Sequence, residues 1–164
     1  MGLNKVMKQL CVTAALVVLS TVTAFAANVG QASGTNVNVR AGASTGANVL
    51  GKINKGTEYT VLDKVDNWFK ISYNGATGYV FADYFSVTKA DGSITGSGVN
   101  LREKATTASN SLKKFSSGEA VTVIGQNDDW YRVSYNGGSA YVSKDYVSGN
   151  LLQYVSKVSS ETTA

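Results

Sequence analysis

The chain repeats itself. Val37-Asn38-Val39-Arg40, Gly56, Trp68, Ser72-Tyr73-Asn74-Gly75, Tyr79-Val80 and Asp83-Tyr84 form an ordered series. It returns at a constant offset of 62 (99 − 37) as Val99-Asn100-Leu101-Arg102, Gly118, Trp130, Ser134-Tyr135-Asn136-Gly137, Tyr141-Val142 and Asp145-Tyr146. No gap is needed, and 22 of 51 positions are identical between Val37–Val87 and Val99–Gly149. Most replacements are mild, such as Phe69 for Tyr131 and Ile71 for Val133. A copied segment of this length carries enough apolar positions for a core of its own, so the repeat predicts two small domains rather than one large one.

Within each copy the local signals are those of short strands. Val37-Asn38-Val39 and Val99-Asn100-Leu101 alternate apolar and polar, the period of a half-buried strand. Ala41–Ala47 and Glu103–Asn110 are small and polar and read as surface loops. Asn54-Lys55-Gly56 and Ser116-Ser117-Gly118 read as turns. Tyr59–Leu62, Trp68–Tyr73 and their copies are rich in β-branched and aromatic residues. Asn74-Gly75 and Asn136-Gly137 each separate two such runs, the dipeptide that two-residue hairpins select. Ala82-Asp83-Tyr84 and Lys144-Asp145-Tyr146 suggest single 3₁₀ turns. With no amphipathic helix among them, these elements predict an all-β protein: two small antiparallel β-barrels in tandem.

The predicted boundaries follow. Residues 27–88 form the first barrel, 90–149 the second and 150–164 a tail. Val61, Ile71 and Val80, with Val123, Val133 and Val142, are the expected core. The polar stretch Thr88–Ser93 reads as a linker between separate cores, which would unfold in two steps. In the tail, Leu151, Val155 and Val158 fall at the spacing of one short helix, set against the favoured reading of a frayed end or linker stub, and Ser159–Ala164 is polar and expected to be disordered.

The N-terminus has a different character. Lys5 and Lys8, an apolar run from Leu10 to Val22 and Ala24-Phe25-Ala26 before Ala27 have the pattern of a secretory signal peptide over residues 1–26. The run is too short to span a bilayer comfortably, so no membrane span is expected after its removal. Cleavage removes the sole cysteine, Cys11, from a chain that has no histidine. It also removes Lys5 and Lys8, lowering the net charge from +4 to +2. A Cys–His peptidase, a zinc amidase and a Ser-His-Asp hydrolase all lack their parts. Asp63, Asp66, Asp128 and Asp129 sit at turns, and Asn127-Asp128-Asp129 alone offers too few oxygens for calcium. With no basic stripe, nucleic acid is not an expected partner. The reading is a non-catalytic protein without cofactor or metal.

What remains is aromatic. Trp68, Tyr73, Tyr79 and Tyr84, with Trp130, Tyr135, Tyr141 and Tyr146, are half-exposed candidates for ligand binding, flat rings beside polar groups. The ordered motifs that hold them resemble the bacterial SH3 (SH3b) domain, twice, over about Ala27–Val87 and Ala90–Gly149. Two positions depart from the family's habit. Ala43 and Ala105 stand where a proline is usual, and Tyr79 and Tyr141 where tryptophan often precedes valine. The resemblance implies an exported, cell-wall-associated protein that holds peptidoglycan or another wall polymer. Such modules often target a linked hydrolase, so this chain could also be the targeting part of one whose catalytic domain lies elsewhere. A third reading is an extracellular interaction module that grips an extended peptide of a surface protein in an aromatic groove.

Overall fold

The computed structural model describes residues 27–158. The expected signal peptide and Ser159–Ala164 lie outside the described residues. The first barrel is built from β1 (Val29–Ala32), β2 (Val37–Arg40), β3 (Val49–Ile53), β4 (Glu58–Val65), β5 (Trp68–Tyr73) and β6 (Ala76–Phe81). After a 3₁₀ turn at Ala82–Tyr84 comes β7 (Phe85–Ile94). The second barrel adds β8 (Val99–Arg102), β9 (Ser111–Phe115), β10 (Ala120–Gln126), β11 (Trp130–Tyr135) and β12 (Gly138–Ser143). A 3₁₀ turn at Lys144–Tyr146 then leads to the short β13 (Val147–Ser148).

All pairings between named strands are antiparallel, in the order β3-β2-β6-β5-β4-β1-β7-β10-β11-β12-β8-β9, with β13 on β7. The β5–β6 and β11–β12 hairpins turn at Asn74-Gly75 and Asn136-Gly137. Asn74 and Asn136 have φ of 50° and 47°, and both glycines 78°. Both central residues need positive φ to match the strand twist, which asparagine tolerates and glycine adopts freely. The six expected core residues are all buried, each at most 2% exposed. Register shifts between Val61 and Asp63 and between Val123 and Gly125 fall at equivalent places. The copies therefore share even their bulges, which bend each strand where the barrel closes.

The expected linker does not exist as one. Phe85–Ile94 is a single ten-residue strand that runs through Thr88–Ser93. Its first half closes the first barrel by pairing with β1, from Ala32↔Phe85 to Val29↔Lys89. Its second half opens the second barrel by pairing with β10, from Val123↔Ala90 to Ala120↔Ser93. Gly92 and Ile94 are the repeat equivalents of Gly30 and Ala32 in β1, so β7 fuses the last strand of one copy to the first strand of the next. Val87 and Ala90 are fully buried, and the apolar interior is continuous from one barrel to the other.

The tail also departs from expectation. Leu152–Tyr154 is one 3₁₀ turn, and the chain beyond is extended rather than helical. Ser156 N donates to Val87 O at 2.9 Å and Val158 N to Gln126 O at 2.9 Å, giving parallel bridges Val87↔Val155 and Gln126↔Lys157. Leu151, Leu152 and Val155 are buried. A few apolar residues at helical spacing cannot offset the cost of nucleating a helix, whereas two exposed strand ends offer hydrogen bonds directly. The side chain of Gln126, buried beneath the tail, donates to Gln153 O and Val155 O and accepts from Lys144 Nζ at 2.8 Å. On the first barrel, Tyr154 meets Phe69 edge-on at 5.7 Å, with Lys64 Nζ 4.9 Å above the tyrosine ring. The tail is thus a strap across both barrels. Leu152→Ala should cost about 2–4 kcal/mol of stability, read as a lower urea midpoint at unchanged slope.

Candidate functional site

Each barrel has a cleft at the same place. The first, about 500 Å³, is lined by Gly34, Thr35, Asn36, Val37, Asn38, Arg40, Thr45, Trp68, Phe81 and Tyr84. The second, about 460 Å³, is lined by Val99, Asn100, Arg102, Thr107, Asp129, Trp130, Ser143, Asp145 and Tyr146. Seven positions are shared at the repeat offset: 37/99, 38/100, 40/102, 45/107, 68/130, 81/143 and 84/146. Three pieces of local structure build the site. The outward face of β2 or β8 supplies the asparagine. The start of β5 or β11 supplies the indole, and the 3₁₀ turn after β6 or β12 supplies the phenol.

Each arginine sits at a register shift, between Val39 and Arg40 and between Leu101 and Arg102, which turns its side chain toward the following loop. Arg40 Nη1 donates to Ala47 O at 2.9 Å and Arg102 Nη1 to Ser109 O at 2.6 Å. This bond pins the loop that carries Thr45 or Thr107, so one wall of the cleft is held by the guanidinium. In the first cleft Trp68 meets Phe81 edge-on at 5.2 Å, and Phe81 lies 6.3 Å from Tyr84. Indole and phenol surfaces beside amide, hydroxyl and guanidinium donors can stack on an apolar face and bond its polar edge at once. Neither cleft is lined by a Cys or His side chain. Among the described residues, no three His, Cys, Asp or Glu side chains gather where they could hold a metal ion.

Of the eight aromatic candidates, the structure brings four into the clefts: Trp68 and Tyr84, Trp130 and Tyr146. Trp68 is 7% exposed, so it is a buried wall rather than the half-exposed ring expected, while Trp130 is half-buried. Tyr73 and Tyr135 are half-buried and pack against the core. Tyr73 lies over β3 so closely that a Cβ on Gly51 would overlap its hydroxyl, and Tyr59 flanks it at 6.2 Å. Tyr79 and Tyr141 are half-buried opposite Arg40 and Arg102 in the sheet and line neither cleft. Ring chemistry alone does not single out Asn38, Arg40 and Thr45 with Asn100, Arg102 and Thr107, which also line the clefts. Their signal was present, since these polar side chains are identical in both copies. Thr45/Thr107 stands out because the loop around it has diverged.

The two tryptophans should differ in structural weight. Trp68→Ala should cost about 3 kcal/mol, because it empties a buried, ring-packed site. Trp130→Ala should cost clearly less, since Ser143 replaces the ring that packs on Trp68. Urea denaturation of the two variants measures the difference.

The comparisons with known proteins agree with the fold. The family model described as bacterial SH3 domain matches residues 35–86 and 97–148. The chain is similar, at 30% identity over 134 residues, to YrvJ of Bacillus subtilis (strain 168), a protein named as an N-acetylmuramoyl-L-alanine amidase. The match takes in 72% of this chain and only 26% of that one. Among solved structures, NlpC2 from Trichomonas vaginalis aligns over 75% of this chain and 48% of its own, with TM-score 0.39 and 14% identity. The endolysin domain LysPBC5 CBD aligns over 77% of this chain and 96% of its own, with TM-score 0.35 and 13% identity. At those scores neither structural likeness bears on what this chain binds.

Proposed function

We propose, for a chain that belongs to the bacterial SH3 domain family, that it is a non-catalytic module holding a cell-wall polymer, peptidoglycan glycan or stem peptide, through one cleft per barrel. The observation that carries this reading is the recurrence of the cleft: Asn, Arg, Thr, Trp and Tyr at five of seven shared positions in two barrels. A site needed only for packing would not have to keep this half-buried to exposed polar lining. Peptidoglycan is polymeric, so two sites on one chain add avidity without new contacts. Each cleft is small, and alone should bind weakly, at about millimolar to high-micromolar strength.

The reading places the protein outside the cell membrane or in the wall, as the expected signal peptide over residues 1–26 requires. Among the described residues no helix is long and apolar enough to cross a membrane. The amidase similarity is consistent with a targeting role beside a hydrolase, since this chain spans about a quarter of that relative.

Sedimentation of the protein with insoluble cell walls tests the reading. Retention should be clear and should fall only modestly between low and moderate salt, because the net charge without Lys5 and Lys8 is +2. A protein that stays in the supernatant with every wall preparation would refute wall binding and leave an extended peptide as the better ligand for the clefts.

A further inference from the structure

The two clefts occupy the same positions but not the same chemistry. Resting on the reading of the clefts as binding sites, we propose that the second cleft selects a primary-amine-bearing segment of the ligand and the first does not. The position that divides them is 81/143. In the first cleft the Phe81 ring fills the space between Trp68, at 5.2 Å, and Tyr84, at 6.3 Å. Ser143 places no ring there in the second, and Trp130 is half-buried where Trp68 is nearly covered.

The lining of the second cleft is also more acidic. Asp129, which replaces Asn67, and Asp145 both line the second cleft, whereas neither Asn67 nor Asp83 lines the first. Counting charged lining side chains, the first cleft carries Arg40 alone, +1. The second carries Arg102 against Asp129 and Asp145, +1 − 2 = −1.

Nearby cations do not neutralise the pair. The ion pairs among the described residues are Lys89–Glu58 and Lys113–Glu119, and neither involves Asp129 or Asp145. Arg102 is engaged with the Ser109 carbonyl at 2.6 Å. Lys144, next to Asp145 in sequence, reaches the other way, to Gln126 Oε1 at 2.8 Å and over the Tyr131 ring at 5.2 Å. An ammonium in the second cleft would meet two carboxylates outside any ion pair, beside the Trp130 indole. In the first it would meet a guanidinium and a wall of edge-packed aromatic rings.

The chain has two tryptophans, one per cleft, so their indole N–H resonances report the clefts separately. The probes are the end-blocked peptide acetyl-Ala-Lys-Ala-amide and the same peptide acetylated on the lysine amine. Trp68→Phe and Trp130→Phe assign the two signals. The cationic peptide should shift the Trp130 signal saturably and leave the Trp68 signal in place. Acetylating the amine should weaken binding by about fivefold or more, and Asp129→Asn with Asp145→Asn should do the same to the cationic peptide. An equal response of both indoles, equal binding of the acetylated peptide, or no shift at Trp130 would overturn the proposal. Because the probe is a free peptide, the two readings fail separately. A protein that passes here but ignores cell walls loses only the wall reading. One that sediments with walls but fails here loses only the division by charge.

Discussion

Ala90→Asp should unfold both barrels in one step. Ala90 is fully buried at the middle of β7, paired with Val123 of β10 and three residues from Val87 at the β1 pairing. A carboxylate there must be desolvated without a partner or protonated, at a cost of several kcal/mol. That is much of the stability of a domain this size. Lys89→Ala, one residue away with an exposed side chain, should stay within about 0.5 kcal/mol of the parent. The contrast between neighbours separates loss of the shared strand from a general intolerance of substitution. The readout is denaturant unfolding followed by tryptophan emission in Trp130→Phe and Trp68→Phe backgrounds, which report the first and second barrel in turn. For the parent, both reporters should trace the same transition, and in the Ala90→Asp protein both should already be unfolded. A native Trp68 signal beside an unfolded Trp130 signal, or the reverse, would show that the barrels are independent despite the strand between them.

The reasons why some elements were legible in the sequence and others were not are physical. Val61, Ile71 and Val80 with their copies announced themselves because half-buried strands alternate with period two, and the Asn-Gly turns because few dipeptides accept their backbone. The stretch Thr88–Ser93 was read as a linker because Lys89, Asp91 and Ser93 are polar. In the strand these alternate outward while the small Ala90 and Gly92 turn in. At Gly92 a side chain would run into Val147, Val121 and Leu152, so the place must stay small, and composition cannot reveal such close neighbours. Strand β3 gave little signal for a related reason. Only Ile53 faces the core, while Val49 and Leu50 are 49% and 46% exposed.

The tail reads from sequence as a frayed end or a short helix because three apolar positions fit one helical turn as well as an extended strap. The deciding factor was the presence of free backbone partners at Val87 and Gln126. At the site, ring chemistry pointed to Trp68, Tyr84 and their copies. It could not separate them from Tyr73, whose ring is spent on covering β3. The loop-pinning role of Arg40 and Arg102 depends on a register shift that has no residue signature.

The shared strand also changes how the two sites can be tested. Cutting the chain between Ala90 and Asp91 would sever β7, so isolated halves compare folding rather than binding. Single-residue changes at exposed cleft walls avoid this. Tyr84 and Tyr146 are 55% and 48% exposed, so truncating either ring should leave stability nearly unchanged while removing one wall of its cleft. Sedimentation with insoluble cell walls should then rank the parent highest and Tyr84→Ala and Tyr146→Ala well below it. Each single variant should lose about 10²-fold in apparent affinity, because loss of one site also removes the effective concentration it gave the other, and the double variant should be weaker still. That ranking, with all four proteins sharing one unfolding midpoint, is the result expected if the paired clefts hold the wall. A double variant that sediments as fully as the parent would contradict it, and would place wall contact on another surface of the barrels.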